Sequence, residues 1–136
     1  MAADSQSTEG DIRRRCEKIY SVGRLLVGAA GDTGACLAYV RYLRGEEISP
    51  EEVKGASAIV LCPKRGILIY EETTEPDPVL DEFFAIGSGG DVALGAMHMG
   101  ASAVESVEAA CRWNVQCGLP VVSLSLKRSR SGSSRR

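Results

Sequence analysis

The chain has 136 residues, 44% hydrophobic and only 5% aromatic, enough for one domain with an Ala/Val/Ile/Leu core that needs no disulfide or metal staple. Its five cysteines (Cys16, Cys36, Cys62, Cys111, Cys117) are odd in number, scattered and without a Cys-x-x-Cys pair, which argues against a disulfide framework or a zinc site and for a reducing compartment. No apolar run approaches a bilayer span and no charged-then-apolar leader opens the chain, so a soluble cytoplasmic protein without a membrane partner is expected.

The net charge of −2 hides an asymmetry. Five of the sixteen basic residues fall in the last ten positions, where there is no acid, leaving eleven bases against eighteen acids in the body. Residues 127–136 have nothing apolar to bury and are expected to form a disordered basic tail on a single domain spanning 1–126. The tail has no interleaved aromatics and its carrier is acidic, so nucleic acid is not an expected partner.

Residues 2–8 are short and become polar, while 19–30 are mostly apolar and read as one or two strands running into Gly28-Ala29-Ala30-Gly31-Asp32-Thr33-Gly34. Asp32 or Thr33 can cap a helix, and Cys36, Tyr39, Val40 and Leu43 recur at helical spacing, predicting a helix from about 33 to 43. Ser49-Pro50-Glu51-Glu52-Val53 marks a short second helix, with Ser at the cap and Pro in the first turn. Apolar runs 58–62 and 67–70, joined by Pro63-Lys64-Arg65-Gly66, predict an antiparallel hairpin. Neither run alternates polar with apolar, so both faces of its sheet are expected to be covered. Residues 71–81, rich in Glu, Pro and Thr, read as an exposed connector.

Phe83-Phe84-Ala85-Ile86 then reads as a strand that passes through Gly87-Ser88-Gly89-Gly90 into a helix over 92–99. Such a junction lets a ligand approach the backbone and aims unpaired helical N–H groups at whatever sits above Ser88. A plain packing turn would look the same. Ser102-Ala103-Val104-Glu105 is a capping box for a further helix with Val104, Val107, Cys111 and Val115 on one stripe, and 121–126 closes the domain as a strand. His98, flanked by Met97 and Met99, is expected to be packed or interfacial. This order of elements fits an α/β (α+β) fold, a four-layer α-β-β-α sandwich.

Four segments carry a resemblance: Ala2-Ala3-Asp4-Ser5-Gln6-Ser7-Thr8, Lys18-Ile19-Tyr20, Gly28-Ala29-Ala30-Gly31-Asp32-Thr33 and Ala85-Ile86-Gly87-Ser88-Gly89-Gly90. In this order and at these separations the chain resembles the N-terminal-nucleophile hydrolases of the proteasome β-subunit type, and most closely HslV-like threonine peptidases. The resemblance implies an endopeptidase of a self-compartmentalising ring, acting on peptides or unfolded protein, with a hexameric AAA+ unfoldase ATPase as partner. It implies no cofactor for the chemistry. Asp4 would pair with Lys18, whose ammonium lowers the cost of forming the nucleophile's alkoxide. Gly31 would offer its backbone N–H to the oxyanion, and Ser88 would orient the nucleophile's amine. An ordinary surface ion pair, a helix-opening glycine and a plain N-cap are the structural alternatives for these positions. A structural metal cation, held by backbone carbonyls, maps by position to Cys111, Asn114 and Cys117.

The family's nucleophile is a threonine at the start of the mature chain, on a strand that precedes the equivalent of Ala2-Ala3-Asp4. Met1 stands there instead. The expectation is therefore a fold lacking its first strand, inactive as written, with the threonine upstream of Met1. A non-catalytic ring-forming scaffold and an amidase acting on a small amide are the alternatives.

Overall fold

The computed structural model describes residues 1–9 and 11–126, so the expected disorder of the 127–136 tail lies outside the described residues. At the centre is a five-stranded antiparallel sheet in the order β4-β5-β6-β7-β8, formed by β4 (Ile19–Val22), β5 (Leu25–Gly31), β6 (Ala56–Cys62), β7 (Gly66–Glu71) and β8 (Asp77–Val79). Two smaller pieces precede and follow it in sequence. The hairpin of β2 (Gln6–Glu9) and β3 (Ile12–Arg15) stands alone, and β1 (Ala2–Ala3) pairs with β9 (Val122–Ser123).

Helix α1 (Thr33–Leu43) covers one face of the large sheet. Asp32 caps it, its Oδ1 accepting from Ala35 N–H at 2.9 Å. Ala35, Ala38 and Tyr39 pack on Val27, Ala58, Val60 and Leu68, all nearly inaccessible to solvent, and form the main core. Small residues on the helix bring it close to the sheet, so burial of apolar surface is dense although aromatics are few. The 3₁₀ turn Pro50–Val53 closes one end of this layer, with Ser49 and Glu52 forming a capping box. Along β6, Ala56, Ala58 and Val60 face this core, while Ser57, Ile59 and Leu61 face the other way and are half-buried.

On that second side lie the β1–β9 pair and the packed helices α2 (Gly90–His98) and α3 (Ala103–Trp113), with β1 against α3. The layers therefore run α1, large sheet, short strands, α2 with α3, which is the expected α-β-β-α order. Their second sheet is reduced to short pieces, and the face of the large sheet carrying Gly28, Ile59, Leu61 and Ile67 borders a cavity of about 880 Å³.

Several sequence expectations are corrected in detail. Residues 83–86, expected as a strand, have no strand conformation, because no neighbouring strand among the described residues offers a ladder. The connector over 71–81 contains the edge strand β8, where Pro78 is tolerated because it leaves no inner ladder bond unmade. The strand expected over 121–126 is only two residues long, and Val115 lies beyond the end of α3 and is exposed. Of the two places expected for His98, packed or interfacial, the first is corrected: it is exposed at the last turn of α2.

Tyr39 shows what secures α1 to the sheet edge. Its ring is fully buried, and its hydroxyl donates to Thr73 C=O at 3.0 Å while accepting Thr73 N–H at 3.1 Å. Tyr39→Phe leaves both Thr73 groups without that partner and is expected to lower stability by about 1–2 kcal/mol in urea denaturation; an unchanged midpoint would show that these two bonds contribute nothing net.

Candidate functional site

Asp4 follows β1 directly, and three donors hold its carboxylate. Lys18 Nζ donates to Oδ1 at 2.7 Å, and the backbone N–H groups of Gly118 and Gln6 donate to Oδ2 at 2.9 and 3.2 Å. The Asp4 side chain is 10% exposed and that of Lys18 26%. The pair is thus shielded enough for its charges to matter while the ammonium still faces the cavity. Lys18 is set beside β5 by its own carbonyl, which accepts from Ala29 N–H at 3.1 Å.

The loop after α3 holds the other side of this arrangement. Ser5 donates its N–H to Gly118 C=O at 2.9 Å and its hydroxyl to Pro120 C=O at 2.7 Å, and Gln6 Nε2 donates to Val115 C=O at 3.1 Å. Residues 4–6 are thereby joined to a loop more than a hundred positions away in sequence. The same loop reaches Ser88, since Asn114 Nδ2 donates to Ser88 C=O at 2.9 Å.

Gly31 ends β5 at φ +116°, and Asp32 N–H donates to Gly55 C=O at 2.9 Å just beyond it. A Cβ at this position would collide with the Gly55 carbonyl oxygen. The glycine is required sterically, and the backbone it leaves bare lines the cavity. Gly89, buried, is the N-cap of α2; a Cβ there would lie 2.7 Å from Cys117 Sγ and 2.8 Å from Ala110 Cβ. Ser88 is therefore one position before the cap, which corrects its reading as a plain N-cap. It is exposed and lines the cavity.

All four residues singled out from the sequence, Asp4, Lys18, Gly31 and Ser88, line this one cavity. Sequence reasoning missed Cys16 and Tyr20, which line it as well. No two-residue alternation marks them, since Glu17 and Ile19 of the same extended segment line the cavity too. It also missed Gly118 and the Asn114 side chain as positioning groups, because contacts across such separations leave no local pattern. Cys36, on the first turn of α1, lines the cavity too; burial, aided by the Asp32 carboxylate, pushes its thiol up to about 11. Such a thiol stays protonated at neutral pH and is a poor nucleophile. Burial likewise raises the thiols of Cys111 and Cys117.

Among the described residues no three His, Cys, Asp or Glu side chains converge to hold a metal ion. The carbonyl set expected at Cys111, Asn114 and Cys117 does not depend on such a cluster. In that turn the Asn114 carbonyl accepts Cys117 N–H at 3.1 Å, and its Oδ1 accepts Gln116 N–H at 2.8 Å. No helix among the described residues is long and apolar enough to cross a membrane.

No family model matches the chain, and no curated protein matches it. Solved structures do. BPH of Thiobacillus denitrificans in complex with epoxomicin superposes with a TM-score of 0.73 at 23% identity, covering 93% of this chain and 92% of that one. A second structure of Thiobacillus denitrificans BPH gives 0.72 at 22% identity, covering 94% of this chain and 92% of that one. The eukaryotic HslV of Trypanosoma brucei gives 0.69 at 19%, covering 89% and 88%. At such identities the likeness is one of fold, and it extends over nearly the whole chain: this protein has the proteasome-like, N-terminal-nucleophile hydrolase fold of HslV.

Proposed function

We propose that the chain is the body of a threonine-type endopeptidase subunit of the HslV kind, in which the nucleophile is a threonine that precedes residue 1 in the native polypeptide. The observation that carries this reading is the gathering of Asp4, Lys18, Gly31 and Ser88 on one cavity, with the Asp4–Lys18 pair closed at 2.7 Å. An ion pair alone would be unremarkable. A shielded ammonium, a sterically required bare backbone and a serine at a helix-opening turn around the same space are what acyl transfer requires.

In this reading the threonine hydroxyl attacks the peptide carbonyl while its own α-amine takes the proton. The Lys18 ammonium stabilises the alkoxide as it forms, and Asp4 holds that ammonium in place. Gly31 N–H meets the oxyanion, and Ser88 orients the amine. Loss of the amine product leaves an ester that water, activated by the same α-amine, hydrolyses. Cavity access is confined by assembly into a ring fed by an unfoldase ATPase, in a cytoplasmic compartment. The helix-end carbonyls of Cys111, Asn114 and Cys117 offer the oxygen donors a structural cation takes, and would hold one without entering the chemistry.

An epoxyketone, the inhibitor class of epoxomicin, tests the reading because it needs an N-terminal hydroxyl and amine together. The native protein, expressed with the codons upstream of Met1, is expected to begin with threonine by intact mass and to gain one inhibitor per subunit, and Lys18→Ala is expected to abolish that gain. A native mass beginning at residue 1 or 2, with no labelling, would overturn the proposal in favour of the scaffold alternative.

A further inference from the structure

Three residues with positive φ meet where neighbouring strands of the large sheet begin or end: Gly31 (+116°) closing β5, Gly55 (+84°) before β6 and Glu72 (+54°) after β7. Two are glycines, for which such angles carry little strain. Glu72 is the one non-glycine residue with positive φ among the described residues, and a side chain is uncommon there. Neighbours on both sides hold it. Its N–H donates to Ala56 C=O at 3.1 Å, and the next residue, Thr73, is bound through both of its backbone groups to the Tyr39 hydroxyl. The conformation gives the carboxylate a grip on Gly55: Glu72 Oε1 accepts Gly55 N–H at 2.7 Å. The Gly55–Ala56 unit is thus held at one end by the Glu72 side chain and at the other by the Glu72 backbone.

Gly31 rests on that same unit. Asp32 N–H donates to Gly55 C=O at 2.9 Å, and the space a Cβ of residue 31 would take is filled by the Gly55 carbonyl and Ala56 Cα. Ala29 N–H, two residues earlier, donates to Lys18 C=O, so the alternation along β5 turns Gly31 N–H toward the Lys18 side. Glycines at 31 and 55 let the two backbones approach closely but bring no side chain to lock them. The carboxylate supplies that lock from a third strand. We infer that Glu72 is a positioning residue for the proposed reaction, fixing through Gly55 the backbone that carries the oxyanion donor, Gly31 N–H. The inference rests on the peptidase reading and extends it to a residue that acts through the main chain of another. A donor displaced by about 1 Å can cost up to about a hundredfold in rate, so a loosened one is expected to cost roughly tenfold.

The test uses the native protein with its upstream codons and follows inactivation by epoxomicin. In that reaction the threonine hydroxyl adds to the ketone, its proton passes to the α-amine, and the ketone oxygen becomes the oxyanion. Glu72→Gly loses the carboxylate but adopts the φ of +54° without strain, so its melting temperature is expected within about 4 °C of wild type. Its maximal inactivation rate is expected to fall roughly tenfold at an unchanged half-saturating concentration. Glu72→Asn, which tolerates positive φ but is one methylene too short to reach Gly55, is expected to behave alike and serves where the glycine variant folds poorly. Glu72→Gln keeps an acceptor oxygen for Gly55 N–H and is expected to stay within about twofold of the wild-type rate. Wild-type rates in Glu72→Gly and Glu72→Asn would overturn the inference and leave the peptidase reading standing. So would a Glu72→Gln variant as slow as the other two, since the effect would then belong to the charge. A wild type that takes up no inhibitor would overturn the peptidase reading and this inference with it.

Discussion

Asp4→Ala is expected to destabilise the protein by about 3 kcal/mol, seen as a fall of roughly 10 °C in melting temperature. The size follows from what the carboxylate satisfies. Its loss leaves the Lys18 ammonium without its counter-charge and the Gln6 and Gly118 N–H groups without their acceptor, all in part-buried surroundings. Breaking a fully buried pair costs about 3–5 kcal/mol; Lys18 keeps some access to water, with 26% of its side chain exposed, which places the effect at the lower end. Asp4→Asn retains an acceptor for one backbone N–H and is expected to cost about half as much. The two variants separate architecture from chemistry. Under the proposed function both abolish epoxyketone labelling, because neither holds Lys18 as a charged partner, even though Asp4→Asn stays well folded. If Asp4→Ala lies within about 0.5 kcal/mol of wild type, the pair is no more than a surface ion pair of the usual small value.

How far the fold was legible follows the range over which each signal acts. Helix α1 was readable to its ends because Asp32 caps it locally and its apolar residues recur at helical spacing. The Ser102–Glu105 box was equally plain, and both of its reciprocal bonds are formed, at 2.9 and 3.1 Å. The β6–β7 hairpin announced itself through Pro63 and Gly66 between aliphatic runs. Strands that depend on distant partners were read poorly. Residues 83–86 have the composition of a strand yet no neighbour to pair with, and β9 is short because β1 offers it only two residues. The β2–β3 hairpin was missed because Gln, Ser, Thr and Arg supply no apolar alternation. At the candidate site, the Asp4–Lys18 pairing came from resemblance, since fourteen residues of separation predict no contact by themselves. Gly118 and Asn114, which hold Asp4 and Ser88 in position, act across contacts of 114 and 26 residues and were outside any local pattern.

Gly31→Ala is expected to have the largest effect of any single methyl group added to this chain, about 4 kcal/mol, a large share of the stability of an ordinary domain. Two independent causes add. The φ of +116° is one that an L side chain rarely adopts. The new Cβ would also meet the Gly55 carbonyl oxygen and lie 2.8 Å from Ala56 Cα. Both obstacles are backbone, so no rotamer change relieves the overlap, and the β5–β6 ladder would have to open at its Gly31–Ala56 pairing. Gly45 provides the control. Its φ of +100° is comparably unfavourable, but a Cβ there meets nothing within 4 Å. Gly45→Ala should therefore show the conformational penalty alone, about 1 kcal/mol. The difference between the two variants in urea denaturation measures the steric part. Equal losses would mean that the close approach at Gly31 is not tight. The backbone carried past Gly55 at that point is the same backbone that lines the cavity, so the proposed oxyanion donor is held in place by packing that tolerates no side chain.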